Sequence, residues 1–389
     1  MTYAILPLEM TRGQRRLRAT LALTGTIIGA GIFGVPAMVG AWGVPVATLG
    51  FIILTLVVLA VHLFLAEAVS SYQPDVRLPG FAGRWVGSWG RWTVGIAQPL
   101  AVFGSSLAYV ILGGEFLAIL GAMAGITMPL LVWQVLFWAA GAGVILAGFS
   151  WMMRVEAFLT WGLVGLLLLM TGVAFFRVDP AWVFTFPQTG TFLPYGVILF
   201  SLFGFTTIPE LELMVRGNRE DLRRAVIRGT VGSAVLTYLF GIAVWLASSG
   251  TVGAGPAALL AVFPPIFSVI IPLFGLLAVI TSYMTMGYDL GSLFRLDYRI
   301  SAFLAWLVAL GVPLALLFLT NRNFLSTIGL VGAVFDAVIA VVCVLIGRAA
   351  LRHRRPWAPR WSAIWWWREV ASVAVVGFLI VGGATWLLV

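Results

Sequence analysis

Apolar runs long enough to cross a bilayer recur along this chain, separated by short polar segments, and nothing else in the sequence constrains the fold as strongly. They fall at 17–41, 43–70, 92–122, 128–149, 154–176, 193–216, 226–249, 263–290, 301–319, 325–348 and 368–388. A helix needs about 20 apolar residues to span the hydrocarbon layer. In that layer every backbone polar group must be satisfied within the protein, so continuous runs of this length are helices, and the short alternating strands of a membrane barrel are excluded. With 61% hydrophobic and 10% charged residues and no polar insertion of domain size, the expected fold class is all-α integral membrane. About eleven transmembrane helices form a single domain over 1–389.

The net charge of +9 would point to nucleic acid in a soluble protein, but its placement gives another answer. All 23 basic residues are arginine. With the N-terminus cytoplasmic, every arginine except Arg177 and Arg322 falls on the inner side, which predicts an outside C-terminus after eleven spans. The excess is an orientation signal whose counterpart is anionic membrane lipid, and no nucleic-acid partner is expected. The expected location is a bacterial or archaeal plasma (inner) membrane. The polar N-terminal tail enters a long first span with no small-residue cleavage site before it, so that span is retained. In 349–367, Arg354, Arg355, Trp357, Trp361 and Trp365 to Trp367 mix basic and indole groups, as in a segment lying at headgroup level before the last helix. Cys343, the single cysteine, reads as core filler.

Two spans carry helix breakers. Residues 25–36 read GTIIGAGIFGVP, and residues 204–209 read GFTTIP; Gly31 to Pro36 and Gly204 to Pro209 have the same spacing. Glycine frees the backbone, and proline suits the first turn of a restarted helix. Interrupted spans in corresponding halves point to a binding site at the bilayer midplane. The restart after Gly29 would offer N–H groups of Gly31, Ile32 and Phe33 to an anion, while carbonyls of Gly25 to Ile28 suit a cation. Thr207-Ile-Pro-Glu210 fits a capping box, placing the second restart at Thr207, with carbonyls of Phe203 to Phe205 free. One end then accepts a carboxylate and the other an ammonium, the outline of an α-amino acid. Close helix packing through Gly25, Gly29 and Ala30 is the alternative use of these small residues. Matching span 1 to span 6 divides the chain into five-helix halves at 17–176 and 193–348, inverted because five is odd, with 349–389 added as an interfacial segment and helix 11.

The run GTIIGAGIFGVP resembles the first-span signature of the amino acid–polyamine–organocation superfamily. GFTTIPELELMVRGNREDLRRAVIRGT and AVITSYMTMGYDL extend the resemblance toward the branch of aromatic and hydroxy amino acid permeases and amino acid/auxin permeases. It implies a five-plus-five inverted-repeat fold of the leucine-transporter type, with helices 1 and 6 discontinuous and alternating access. It also implies a sodium site from the carbonyls of Gly25, Ile28 and Ala278 with the hydroxyls of Thr281 and Ser282, unless that hydroxyl pair bonds back to its own helix. The substrate site implied comprises Gly29, Ala30, Gly31, Ile32, Phe33, Phe203, Gly204, Phe205 and Thr206, with walls from Ser105, Tyr109, Tyr283 and Gln98.

Intramembrane acids are candidates for coupling or gating, which selects Asp336 in span 10 and Glu67 in span 2, with Gln98 beside the pocket. His62 reads as a packing residue, while Glu115, Glu212 and Asp289 lie near span ends. No arginine is expected at pocket depth. The reading is a symporter of neutral, aromatic or hydroxylated amino acids, coupled to sodium or protons, with no cofactor beyond a bound sodium ion. A membrane enzyme lacks its motif here: there are two distant histidines, one cysteine and no HExxH. A channel lacks a filter motif.

Overall fold

The computed structural model describes residues 10–71, 77–147, 149–186, 191–250, 253–353 and 365–388. The first predicted span is two helices, α1 (Arg12–Ile27) and α2 (Val35–Trp42), joined through a short 3₁₀ turn at Ala30–Phe33. Then come α3 (Val44–Val69), α4 (Leu78–Trp85), α5 (Ser88–Met123), α6 (Leu130–Ala147) and α7 (Phe149–Phe175). The sixth span is again split, into α8 (Leu193–Leu202) and α9 (Ile208–Met214). It is followed by α10 (Arg219–Ala247), α11 (Pro256–Val262), α12 (Phe267–Leu296) and α13 (Ala302–Leu319). In the tenth span α14 (Phe324–Leu330) passes through a π-helical stretch, Val331–Asp336, into α15 (Ala337–His353); α16 (Trp365–Leu388) ends the chain.

Eight of the spans are long and apolar enough to cross a membrane by length and composition alone. The shorter apolar helices at Leu130–Leu146 and Trp161–Phe175 and the broken first span complete the eleven. Boundaries follow local chemistry. Thr11 and Gln14 form a reciprocal capping box on α1, and Asn218 caps α10 through the Asp221 N–H at 3.0 Å. Gly43 turns the chain between α2 and α3 with φ +70, a conformation that glycine adopts without strain.

Burial sorts the spans into centre and rim. The most apolar stretch of Leu193–Met214 is 83% buried, against 28% for Ala302–Leu319 and 22% for Ala371–Leu388. The broken sixth span is therefore wrapped by other helices, whereas α13 and α16 expose Phe303, Leu307, Phe318, Val373 and Ile380, as lipid-facing helices do. At the centre α1 lies along α10, α12 along α5 and α15 along α3. Cys343 is fully buried within α15. Two short helices were not expected from sequence: α4 follows the second span and α11 the seventh, and each carries proline in its first two positions. Most of the 349–367 interfacial segment lies outside the described residues.

Candidate functional site

At the first break, Ile28 leaves the helix with ψ 78 and Gly29 is extended at φ −118, ψ −147. Pro36 then stands in the first two positions of α2, where its missing N–H costs nothing. At the second, Phe203 is extended, Gly204 turns the chain, and Phe205–Thr207 lead into α9 with Pro209 equally placed. The predicted capping box at Thr207 does not form. Thr207 is already in the helical region with no side-chain cap, and its hydroxyl meets Thr26 Oγ1 at 2.7 Å. Since Thr26 donates to the Ala22 carbonyl, Thr207 is the donor. That bond ties the two breaks together, and Glu210 pairs with Arg77 instead.

The glycines do both things expected of them, since they interrupt the helices and let backbones approach. A Cβ at Gly31 would lie 2.7 Å from Ser201 Cα. One at Gly29 would lie 2.6 Å from Ser282 Oγ and 3.5 Å from the Tyr109 hydroxyl, and one at Gly204 would lie 2.7 Å from Ile27 Cγ1. The break in span 1 therefore touches spans 3, 6 and 8 at once.

His62, read from sequence as packing, supports the second break. Its Nε2 accepts the Gly204 N–H at 3.2 Å, its Nδ1 lies 2.9 Å from Thr230 Oγ1, and its ring stacks on Phe203 at 5.8 Å. Because Gly204 N–H can only donate, the imidazole is neutral with its proton on Nδ1, donated to Thr230. A backbone donor freed by the break thus finds a partner in α3, as burial in hydrocarbon demands.

Between the breaks lies a cavity of about 20 Å³, room for a single water molecule. Thr26, Ile27, Gly29, Gly31, Ala101, Val102, Ser105, Tyr109, Phe200, Phe203, Phe205, Thr206, Met286 and Asp336 line it. Of the predicted substrate residues, Gly29, Gly31, Phe203, Phe205, Thr206, Ser105 and Tyr109 meet here. Ala30, Ile32, Phe33 and Gly204 are buried beside it; Phe33 packs between Phe116 and Phe274 at 5.0 and 5.6 Å. Tyr283 does not reach the cavity: it lies edge-on to Phe137 of α6. Residues 282 and 286 are one turn apart and share a face, whereas 283 points about 100° away, so Met286 takes the place expected of Tyr283. Asp336, at the end of the π stretch, is 5% exposed. Among the described residues no hydrogen-bond donor or cation pairs with its carboxyl. Thr206 Oγ1, in the same lining, is also without a partner.

The Thr281 and Ser282 hydroxyls are engaged with their own helix. Thr281 donates to the Leu277 carbonyl at 2.9 Å, and Ser282 to that of Ala278 at 3.2 Å. Gly25 is buried within α1, and Ile28 caps it. In this conformation both hydroxyls give their protons to their own helix, whereas at the first break the Gly29 N–H turns to the Ile27 carbonyl and the Ile32 N–H to that of Gly29, away from the Gly25 and Ile28 carbonyls; Ser282 abuts that break.

The arginine-rich end of the bundle carries an ionic cluster. Arg77 contacts Asp289 at 3.2 Å and Glu210 at 3.4 Å, and its backbone N–H donates to Asp297 at 3.2 Å. Burial raises the Asp297 carboxyl above its ordinary range, opposed by the Arg77 backbone and Arg91. Gln98, placed in the pocket from sequence, sits nearer that end on the stripe of Ala101, Val102 and Ser105 and donates to Asp289 at 2.8 Å. Glu67 forms an ion pair with Arg219.

The fold is shared with solved transporters. MhsT, crystallised in complex with L-phenylalanine, superposes with a TM-score of 0.64 at 15% identity, over 96% of this chain and 98% of that one. Mhp1, a nucleobase-cation-symport-1 family transporter in a closed conformation with bromovinylhydantoin bound, gives 0.66 at 14%, over 96% and 88%. In sequence, glutamine transporter 2 of Aliivibrio fischeri is 23% identical over 234 residues, 59% of this chain. That match spans 58% of the relative's length. The tryptophan/tyrosine permease family matches residues 12–382, nearly end to end, and the chain belongs to that family.

Proposed function

We propose that the protein is a secondary transporter of neutral amino acids, aromatic ones foremost, working by alternating access and cation symport. The observation that carries the reading is the meeting of two helix breaks at one small cavity. The substrate carboxylate would lie against Gly29 to Gly31 at the head of the restarted helix and its ammonium toward the carbonyl end of α8 at Phe203. No basic side chain lines the cavity, which disfavours acidic substrates. Phe200, Phe203, Phe205 and Met286 give a wall of rings and a flexible thioether, able to yield as the cavity grows around an indole or phenol. The halves proposed at 17–176 and 193–348 would rock about this site, with the N-terminus cytoplasmic.

Purified protein in proteoliposomes, tested with all twenty amino acids under separately imposed sodium and pH gradients, checks the proposal. Labelled tryptophan or tyrosine should exchange against unlabelled substrate inside and accumulate when one cation gradient is imposed. Flux without trans-stimulation would indicate a channel, and chemical conversion an enzyme.

A further inference from the structure

A buried carboxyl without a partner is the most costly group in this cavity. It is also the cavity's only acid. The helix that carries it departs from α geometry over Val331–Asp336, and such π stretches are concentrated at functional sites. In hydrocarbon, an ionised Asp336 with neither donor nor cation beside it is strongly disfavoured, so at 5% exposure it is held either neutral or with a cation bound.

We propose that Asp336 is the residue that carries the proton through the transport cycle, and that the cavity closes around it in its neutral form. The proton joins a carboxylate oxygen while the cavity is open to one side and leaves to water on the other. The proposal rests on the amino acid symport reading and names the side chain that loads and releases its proton. A metal cation would need several more oxygens here. Of the lining hydroxyls, Thr26 uses both its proton, given to the Ala22 carbonyl, and a lone pair, which accepts from Thr207 at 2.7 Å, and Asp336 is the only charged ligand in the lining. The groups facing Asp336 leave it without a counter-ion. From α5, Tyr109 interacts with it electrostatically and turns its hydroxyl toward Met286 Sδ at 3.6 Å. Tyr195 of α8 donates to the Leu379 carbonyl at 3.4 Å. Outside the lining, His62 is held by Gly204 and Thr230, and Asp289 by Arg77 and Gln98. In its own span α14 has no titratable residue and α15 has Cys343 before its arginine-rich end; the described side chains of α16 include none.

The test compares wild type with Asp336→Asn, which holds the side chain permanently neutral at nearly the same volume. The substrate is labelled tryptophan or whichever panel member exchanges fastest. Wild type should accumulate it under an inward proton gradient with sodium equal on both sides, and a trapped dye should report proton entry. Binding in detergent should take up about one proton per substrate. The variant should still exchange substrate, but without accumulation, proton entry or proton uptake on binding. Intact proton-driven accumulation by the variant overturns the assignment, as does wild-type accumulation driven by sodium alone. So does loss of substrate binding by a folded variant, which would make Asp336 the partner of the substrate ammonium. If wild type exchanges no amino acid at all, the transporter reading falls first, and the proton assignment with it.

Discussion

His62 supplies the sixth span with the hydrogen bond that an unbroken helix would have made for itself. Removing the imidazole leaves the Gly204 N–H buried without a partner, a loss of about 1–3 kcal/mol. His62→Ala should therefore lower the thermal unfolding midpoint in detergent, read by intrinsic fluorescence, while membrane insertion is unaffected. The sequence offered no sign of this role, because it depends on a bond between residues 142 positions apart. A histidine in an apolar helix looks the same whether it merely packs or accepts a stray N–H. The capping box failed for a related reason: Thr207 has the right neighbours for a cap, but a hydroxyl from the other broken span is closer to hand. Asp336 was legible as a candidate because acids are rare in spans. Its isolation in the cavity was visible only in three dimensions.

At the level of elements, the interrupted helices are the most readable feature, since glycine and proline act on the backbone directly and need no tertiary context. What those glycines touch is another matter. The approach of Gly31 to the backbone of Ser201 leaves no room for a methyl group, so Gly31→Ala must push the two broken spans apart. That variant should reach the membrane at normal abundance, by detergent size-exclusion profile, yet lose at least tenfold in exchange rate, a factor equivalent to about 1.4 kcal/mol. The helices α4 and α11 escaped the sequence reading because they are too short to show a period and open on proline, which also marks loops. The π stretch escaped too: one added residue shifts the register of span 10 without leaving a compositional trace. The misplacement of Tyr283 shows that knowing a helix exists does not fix its rotation about its own axis.

For the molecule as a whole, the arginine distribution predicts which way the bundle stands in the membrane. A reporter enzyme active only outside the cytoplasm, fused after Val389, should be active, and the same reporter fused into the 215–218 connection between α9 and α10 should be silent. The packing has a symmetry that the span count already implied. α3 of the first half against α15 of the second is answered by α10 of the second against α7 of the first, and the short helices α4 and α11 hold equivalent places in chain order. The buried position of the lone cysteine has a practical consequence. With Cys343 sealed inside α15, water-soluble thiol reagents should find almost nothing to modify in the native protein. A single cysteine introduced along the walls of the cavity would then become the one reactive sulfur, and its rate of alkylation with and without substrate would record when that wall meets water.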